Sequence, residues 1–169
     1  MRRLGIVGHR ELDPDTTAFV AAQSIALIDS ERAACGDIVA VSALAEGADT
    51  LFAEAAVGLG VQLEIVRPFD SYEDDFPTEA SRSRYTALVE AAQRETRLSF
   101  VSCSLHAYEA AMRWIADACD LLVAVWDGSP PRGRGGTAAA IRYAESIGRS
   151  VVHFDVVAHR VVRREAAAR

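Results

Sequence analysis

Short apolar runs alternate along this chain with longer segments of helical period. Leu4 to Val7 is a buried-type run that ends at Gly8. Asp13-Pro14 reads as a helix start, with Asp as N-cap and Pro in the first turn, and the helix is expected to run to about Ser30. Ile38 to Val41 is a second strand. Ala48, Leu51, Phe52, Ala55, Ala56 and Leu59 then fall on one helical face, which stops at Gly58 or Gly60. Val61, Leu63, Ile65 and Val66 make a third strand, closed by Pro68. From about Glu79 to Glu95 the period is helical again, with Tyr85, Leu88, Val89 and Ala92 together. Leu98 to Val101 is a short run that admits a strand. Ala107, Ala110, Ala111, Trp114, Ile115 and Ala118 form another helical stripe, Leu121 to Trp126 is the most strand-like run, and Thr137 to Ile147 is a helix capped by Gly148. Val151 to Phe154 is the last strand, and the Arg- and Ala-rich residues after Val157 read as a frayed helix.

Strands alternating with helices imply crossover connections and a mainly parallel sheet covered on both faces. The expected fold class is α/β, a Rossmann-like doubly wound three-layer sandwich. With no internal repeat and no linker, residues 1–157 are expected to form one domain and residues 158–169 a C-terminal tail.

Composition narrows the function. Half of the 169 residues are hydrophobic and a quarter charged, which is ordinary globular usage. No apolar run reaches membrane-spanning length. The start of the chain lacks the features of a secretory signal, so the cytoplasm is the expected location. The net charge of −6 argues against general nucleic-acid binding, which depends on Lys and Arg displacing counterions. Cys35, Cys103 and Cys119 have no metal-ligand spacing and do not cluster with His9, His106, His153 and His159, so no metal is expected. The cysteines read as reduced small hydrophobes.

In doubly wound sheets, ligands bind outside the carboxyl ends of the strands. Three junctions there carry candidate chemistry. At the first, Gly8 allows close backbone approach, Arg10 offers a planar fork for phosphate, and His9 can hydrogen-bond ribose or phosphate. The alternative is a plain turn with a surface arginine. At the second, Ser42 to Thr50 is a small-residue loop entering a helix. Its N–H groups can face an anion. The candidates are Ser42, Glu46, Gly47 and Asp49. Asp49 is equally open to a helix-terminal role or a ribose hydroxyl, and Glu46 to a supporting structural role. At the third, Asp127 is followed by a Gly/Pro/Arg loop in which Arg132 and Arg134 add charge, and Gly135, Gly136 and Thr137 open a helix whose N–H groups carry positive partial charge. Two features read as bland. Asp70, Glu73, Asp74 and Asp75 form a solvated loop unless Tyr72 and Phe76 make it a lid, and Trp114 belongs to the core or to a dimer interface.

These residues resemble a superfamily. Ile6 to Arg10 and Ser42 to Asp49 follow the layout of the DNA-processing protein DprA (Smf), a strand ending Val-Gly-Ser-Arg and a later Ser-Gly-Leu-Ala-x-Gly-x-Asp. His9 stands for the Ser and Ala43 for the first Gly. Asp120 to Ala144 is similar to the Gly-Gly-x-Gly-Thr segment of the LOG, or lysine decarboxylase-like, proteins, and to the Gly-Thr-Ala-x-Glu-Ile-Gly-Tyr-Ala segment of nucleoside 2-deoxyribosyltransferases. DprA and LOG proteins are joined as the SLOG superfamily. The resemblance implies a nucleotide-derived ligand (a nucleoside phosphate, ADP-ribose or a cyclic relative), no required cofactor, and a homodimer. It also implies a catalytic Glu shortly after the Thr, where this chain has Ala138, Ala139 and Ala140. A methyl group neither attacks nor protonates, so the expectation is a binding or sensing domain. The alternatives are an N-glycosidic or phosphoribosyl hydrolase using another carboxylate and, further off, a DprA-like single-stranded DNA binder.

Overall fold

The computed structural model describes residues 1–130 and 136–165. Its elements are β1 (Arg2–Gly8), α1 (Pro14–Cys35), β2 (Ile38–Ser42), α2 (Ala48–Gly58), β3 (Gln62–Arg67), α3 (Glu79–Ala91), β4 (Arg94–Arg97), α4 (Leu105–Ala118), β5 (Leu121–Trp126), α5 (Thr137–Ser146), β6 (Ser150–Asp155) and β7 (Arg160–Arg164). The strands form one sheet in the order β4-β3-β2-β1-β5-β6-β7. All neighbours are parallel except β6 and β7. From β1 the chain winds outward through β2, β3 and β4, then returns to β5 on the other side of β1. The order therefore reverses between β1 and β5, where Gly8 is in register with Val125.

Alternate residues along each strand feed two cores, as the two-residue strand period requires. Leu4, Ile6, Ala40, Leu63, Val123 and Val125 join Val20, Ile28 and Phe52 beneath α1 and α2. Val7, Val39, Val41, Leu122 and Ala124 join Met112, Ile115, Ile141 and Ala144 beneath α4 and α5. Trp114 packs at the edge of this second core. α1 starts as the sequence indicates: the Asp13 carboxylate accepts from the Thr16 N–H at 2.9 Å, with Pro14 in the first turn. It extends beyond Ser30 to Cys35 and stops at Gly36, whose φ is 76°.

The structure departs from the sequence expectation in four places. The strand expected at Leu98 to Val101 lies earlier, at Arg94–Arg97, paired to β3. The expected frayed tail helix is instead β7, antiparallel to β6. The acidic segment is not merely solvated: a 3-10 turn at Tyr72–Asp75 buries Tyr72, and Phe76 beside it is also in the core, stacked on Tyr85 with centroids 4.7 Å apart. Of the three cysteines only Cys119 is buried; Cys35 and Cys103 are exposed, and all three are free.

β7 is tied down electrostatically. Glu31 of α1, 3% exposed, pairs with Arg163 of β7 and, at 3.0 Å, with Arg2 of β1. A nearly buried carboxylate that loses a cation is left undercompensated. Arg163→Ala is expected to lower the unfolding free energy by about 1–2 kcal/mol, since Arg2 remains, as read by urea denaturation.

Candidate functional site

The loops after β1, β2 and β5 meet at the carboxyl edge of the sheet. The β1 loop is fastened on both sides. The His9 N–H donates to the Val125 carbonyl at 3.2 Å, and the His9 carbonyl accepts from the Ala48 N–H at 3.1 Å. Gly8 and Gly47 make this possible. A Cβ on Gly8 would stand 2.5 Å from the Ala48 Cβ, and one on Gly47 would stand 2.3 Å from the Arg10 carbonyl oxygen. Both glycines therefore serve loop-to-loop contact. Gly47 also has a φ of 89°.

His9 bridges the point where the strand order reverses. Its Nε2 lies 3.1 Å from the Asp127 N–H and 3.2 Å from Asp127 Oδ1. Accepting from the amide requires a bare Nε2 and donating to the carboxylate a protonated one, so each protonation state uses one of the two contacts. Asp127 also accepts from the Ser129 N–H at 2.9 Å. Burial pushes the Asp127 pKa up, but the Ser129 hydrogen bonds and His9 outweigh it and hold the carboxyl below its usual range.

These loops and α4 enclose a cavity of about 710 Å³, within the range of small-molecule sites. One wall is apolar, formed by Leu105, Ala111, Met112 and Ile115 of α4. The α5 end contributes Gly136, Thr137, Ala138 and Ala140. Among the described residues no side chain caps α5; Gly136 is its N-cap and Thr137 its first residue. The helix start thus presents backbone N–H groups and positive partial charge at the cavity.

The charges are less one-sided than a bare anion site. Among the described residues, the formally charged lining groups are Arg10 on one side and Glu11, Asp49 and Asp127 on the other. Arg10 is already engaged: its Nη1 is 2.5 Å from Asp75 Oδ2, and its guanidinium lies 5.0 Å from the centroid of the Tyr108 ring. The Tyr108 hydroxyl donates to the same Asp75 oxygen at 2.8 Å. Burial opposes the Arg10 cation, but the Asp75 hydrogen bond and neighbouring groups hold its pKa above the usual value. Asp49 is 4% exposed, and burial pushes its pKa up to about 7 against the field of Arg10 and the amides of Ala45 and Ala43.

The structure brings Gly8, His9, Arg10, Asp49, Asp127, Gly136 and Thr137 to this one cavity. Ser42 is fully buried, and its hydroxyl accepts from the Leu44 N–H at 2.9 Å, holding Leu44 at a φ of 57°. Glu46 and Gly47 line a neighbouring cavity of about 820 Å³ with Pro77 and Arg84. Arg132, Arg134 and Gly135 lie outside the described residues.

No family model matches the chain, and no curated protein matches it in sequence. Solved structures match it in fold. The chain is similar to DNA processing protein A from Helicobacter pylori, whose structure is described as showing a single-stranded DNA binding mode, with 16% identity and a TM-score of 0.63 over 90% of this chain and 64% of that one. It is similar to DprA from Streptococcus pneumoniae, with 21% identity and a TM-score of 0.63 over 90% of this chain and 50% of that one. A third likeness, to the protein TM1055, has 12% identity and a TM-score of 0.56 over 89% of this chain and 72% of that one.

The fold is the Rossmann-like one that these structures share.

At these identities the likeness is one of fold, and this chain spans half to two thirds of the length of the DprA chains. Within that frame several lining residues carry no motif in the sequence. Tyr72 and Tyr108 enter the cavity from elements read as a solvated loop and an apolar stripe. Asp75 holds Arg10 from the acidic run. The one available signal was aromatic: Tyr72 and Phe76 punctuate a segment too acidic to be core on composition alone.

Proposed function

We propose that this cavity binds a phosphate-bearing, nucleotide-derived small molecule, and that the protein acts as a binding or sensing domain. The observation that carries this reading is convergence: Arg10, Asp49 and Thr137, from three separate crossovers, line one 710 Å³ cavity at the point of strand-order reversal. The start of α5, with Gly136 as its N-cap, suits a phosphate, the α4 wall suits a base, and Asp49 suits a sugar hydroxyl. The methyl groups of Ala138 and Ala140 at the α5 end support binding without turnover.

The test is a thermal-shift panel of nucleoside mono-, di- and triphosphates, ADP-ribose and cyclic nucleotides. A ligand at about a hundred times its dissociation constant should add roughly 2.7 kcal/mol to unfolding. Arg10→Ala and Arg134→Ala are expected to abolish that gain. A panel without any shift overturns the proposal.

A second reading is favoured by Asp49, whose pKa of about 7 suits a general acid. On that reading the protein hydrolyses an N-glycosidic bond. Incubation with nucleoside monophosphates should then release free base, and Asp49→Asn should stop it. A single-stranded oligonucleotide in the same panel checks DNA binding, which the acidic lining among the described residues disfavours.

A further inference from the structure

Tyr72 lines the cavity, and its hydroxyl is buried with no hydrogen-bond partner among the described residues. Such a group carries a desolvation penalty that a partner normally relieves. The ring is fixed in place. It packs edge-on against Phe69, Phe76 and Tyr85 with centroids 5.2 to 5.7 Å apart, so the hydroxyl cannot swing away to find water. Among the charged and polar groups acting on it, Asp49 comes first, ahead of Arg10, Tyr108 and Asp75. Asp49 is itself nearly buried in the same cavity. A tyrosine with an orphaned hydroxyl and a nearly buried carboxyl thus line the same cavity.

We propose that Tyr72 and Asp49 form a subsite for the cis-diol of a ribose, so that the cavity selects ribonucleotides over 2′-deoxyribonucleotides. This rests on the nucleotide reading above. The chemistry is complementary. A carboxylate presents two acceptor oxygens and no donor, and a cis-diol presents two O–H donors. The Tyr72 O–H then donates to one of the same sugar oxygens, which satisfies the orphaned group without moving the aromatic cluster. Removing one sugar hydroxyl leaves a buried protein group unpaired, and sites built this way reject the lacking analogue strongly. The neighbouring surfaces leave this position to the sugar: the α4 wall is apolar, and the amides of the α5 start face a phosphate.

The experiment is calorimetric titration of wild type and Tyr72→Phe with AMP, GMP, CMP and UMP, each against its 2′-deoxy counterpart. Wild type is expected to prefer the ribo form of its best ligand by roughly tenfold or more. Tyr72→Phe should lose most of that preference by weakening on the ribo form alone, and should melt without ligand at or above the wild-type temperature. Asp49→Asn should lose the preference in the same way. Equal binding of ribo and deoxy forms by wild type overturns the subsite and leaves the nucleotide reading standing. So does a Tyr72→Phe protein with unchanged preference, or one that melts below wild type, which would mean the hydroxyl already has a partner inside the protein. Failure of wild type to bind any of the eight overturns this inference, and extended over the whole panel above it overturns the nucleotide reading too.

Discussion

Gly47→Ala is expected to lower the unfolding free energy by roughly 3–5 kcal/mol and the melting temperature by about 10 °C. Two effects add. At Gly47 φ is 89° and ψ is −121°, a backbone conformation that a Cβ strains. The new Cβ would also lie 2.3 Å from the Arg10 carbonyl oxygen and 2.5 Å from that of His9. These are backbone atoms, and the His9 carbonyl is held by the Ala48 N–H, so neither can turn aside as a side chain would. Gly8→Ala is the useful comparison. It meets the Cβ atoms of Ala48 and Val125, which are fixed to the backbone, but it has no positive φ, so the crowding acts alone and it should lose less, about 1–3 kcal/mol. Urea denaturation of the two variants checks both the size and the order. A Gly47→Ala protein as stable as wild type would show that the first two loops are not packed as described.

The second large effect is a pH dependence centred on Asp49. Burial raises its folded-state pKa from 3.8 to about 7. Between those values the folded protein keeps a proton that the unfolded chain has released. Stability from this group is therefore intact below about pH 4, falls as pH rises, and levels off above about pH 7. A shift of this size corresponds to about 4 kcal/mol. Asp49→Asn removes the slope. The variant should match wild type near pH 4 and exceed it at pH 8 by up to that amount, measured by denaturation at both pH values. Glu64, Glu95 and Asp155, whose pKa values are lowered, act in the opposite direction under acid, so the comparison is made between variant and wild type at each pH. Equal stability at pH 8 would mean that Asp49 is better solvated than its burial implies.

Periodicity was sufficient to place β1, β2, β3, β5 and β6, because strands buried on both faces are continuous apolar runs. It fails at the two margins of the sheet for a physical reason. β4 reads Arg-Glu-Thr-Arg and β7 reads Arg-Val-Val-Arg-Arg. They are held by ion pairs, Arg67 with Glu95 between β3 and β4 and Arg163 with Glu31 between β7 and α1, which leave no hydrophobic signature. At the candidate site, the ends of β1, β2 and β5 were legible because the alternation of strands and helices implies where such sheets bind. The partners of those residues were not. That Asp75 reaches Arg10 across 65 positions, or that the Gly47 backbone touches that of Arg10, depends on loop packing that no local pattern records. Ser42 shows the converse: a motif position whose hydroxyl is spent on shaping the loop backbone.

Asp75 gives the cavity a resident competitor. A guest that recruits Arg10 must displace a carboxylate tethered to the same chain and braced by Tyr108, which acts at a local concentration no free anion in solution approaches. A small lone anion is thus a poor rival, whereas a molecule anchored elsewhere in the cavity meets Asp75 on equal footing. The arginine then reports on the whole guest rather than on its charge alone.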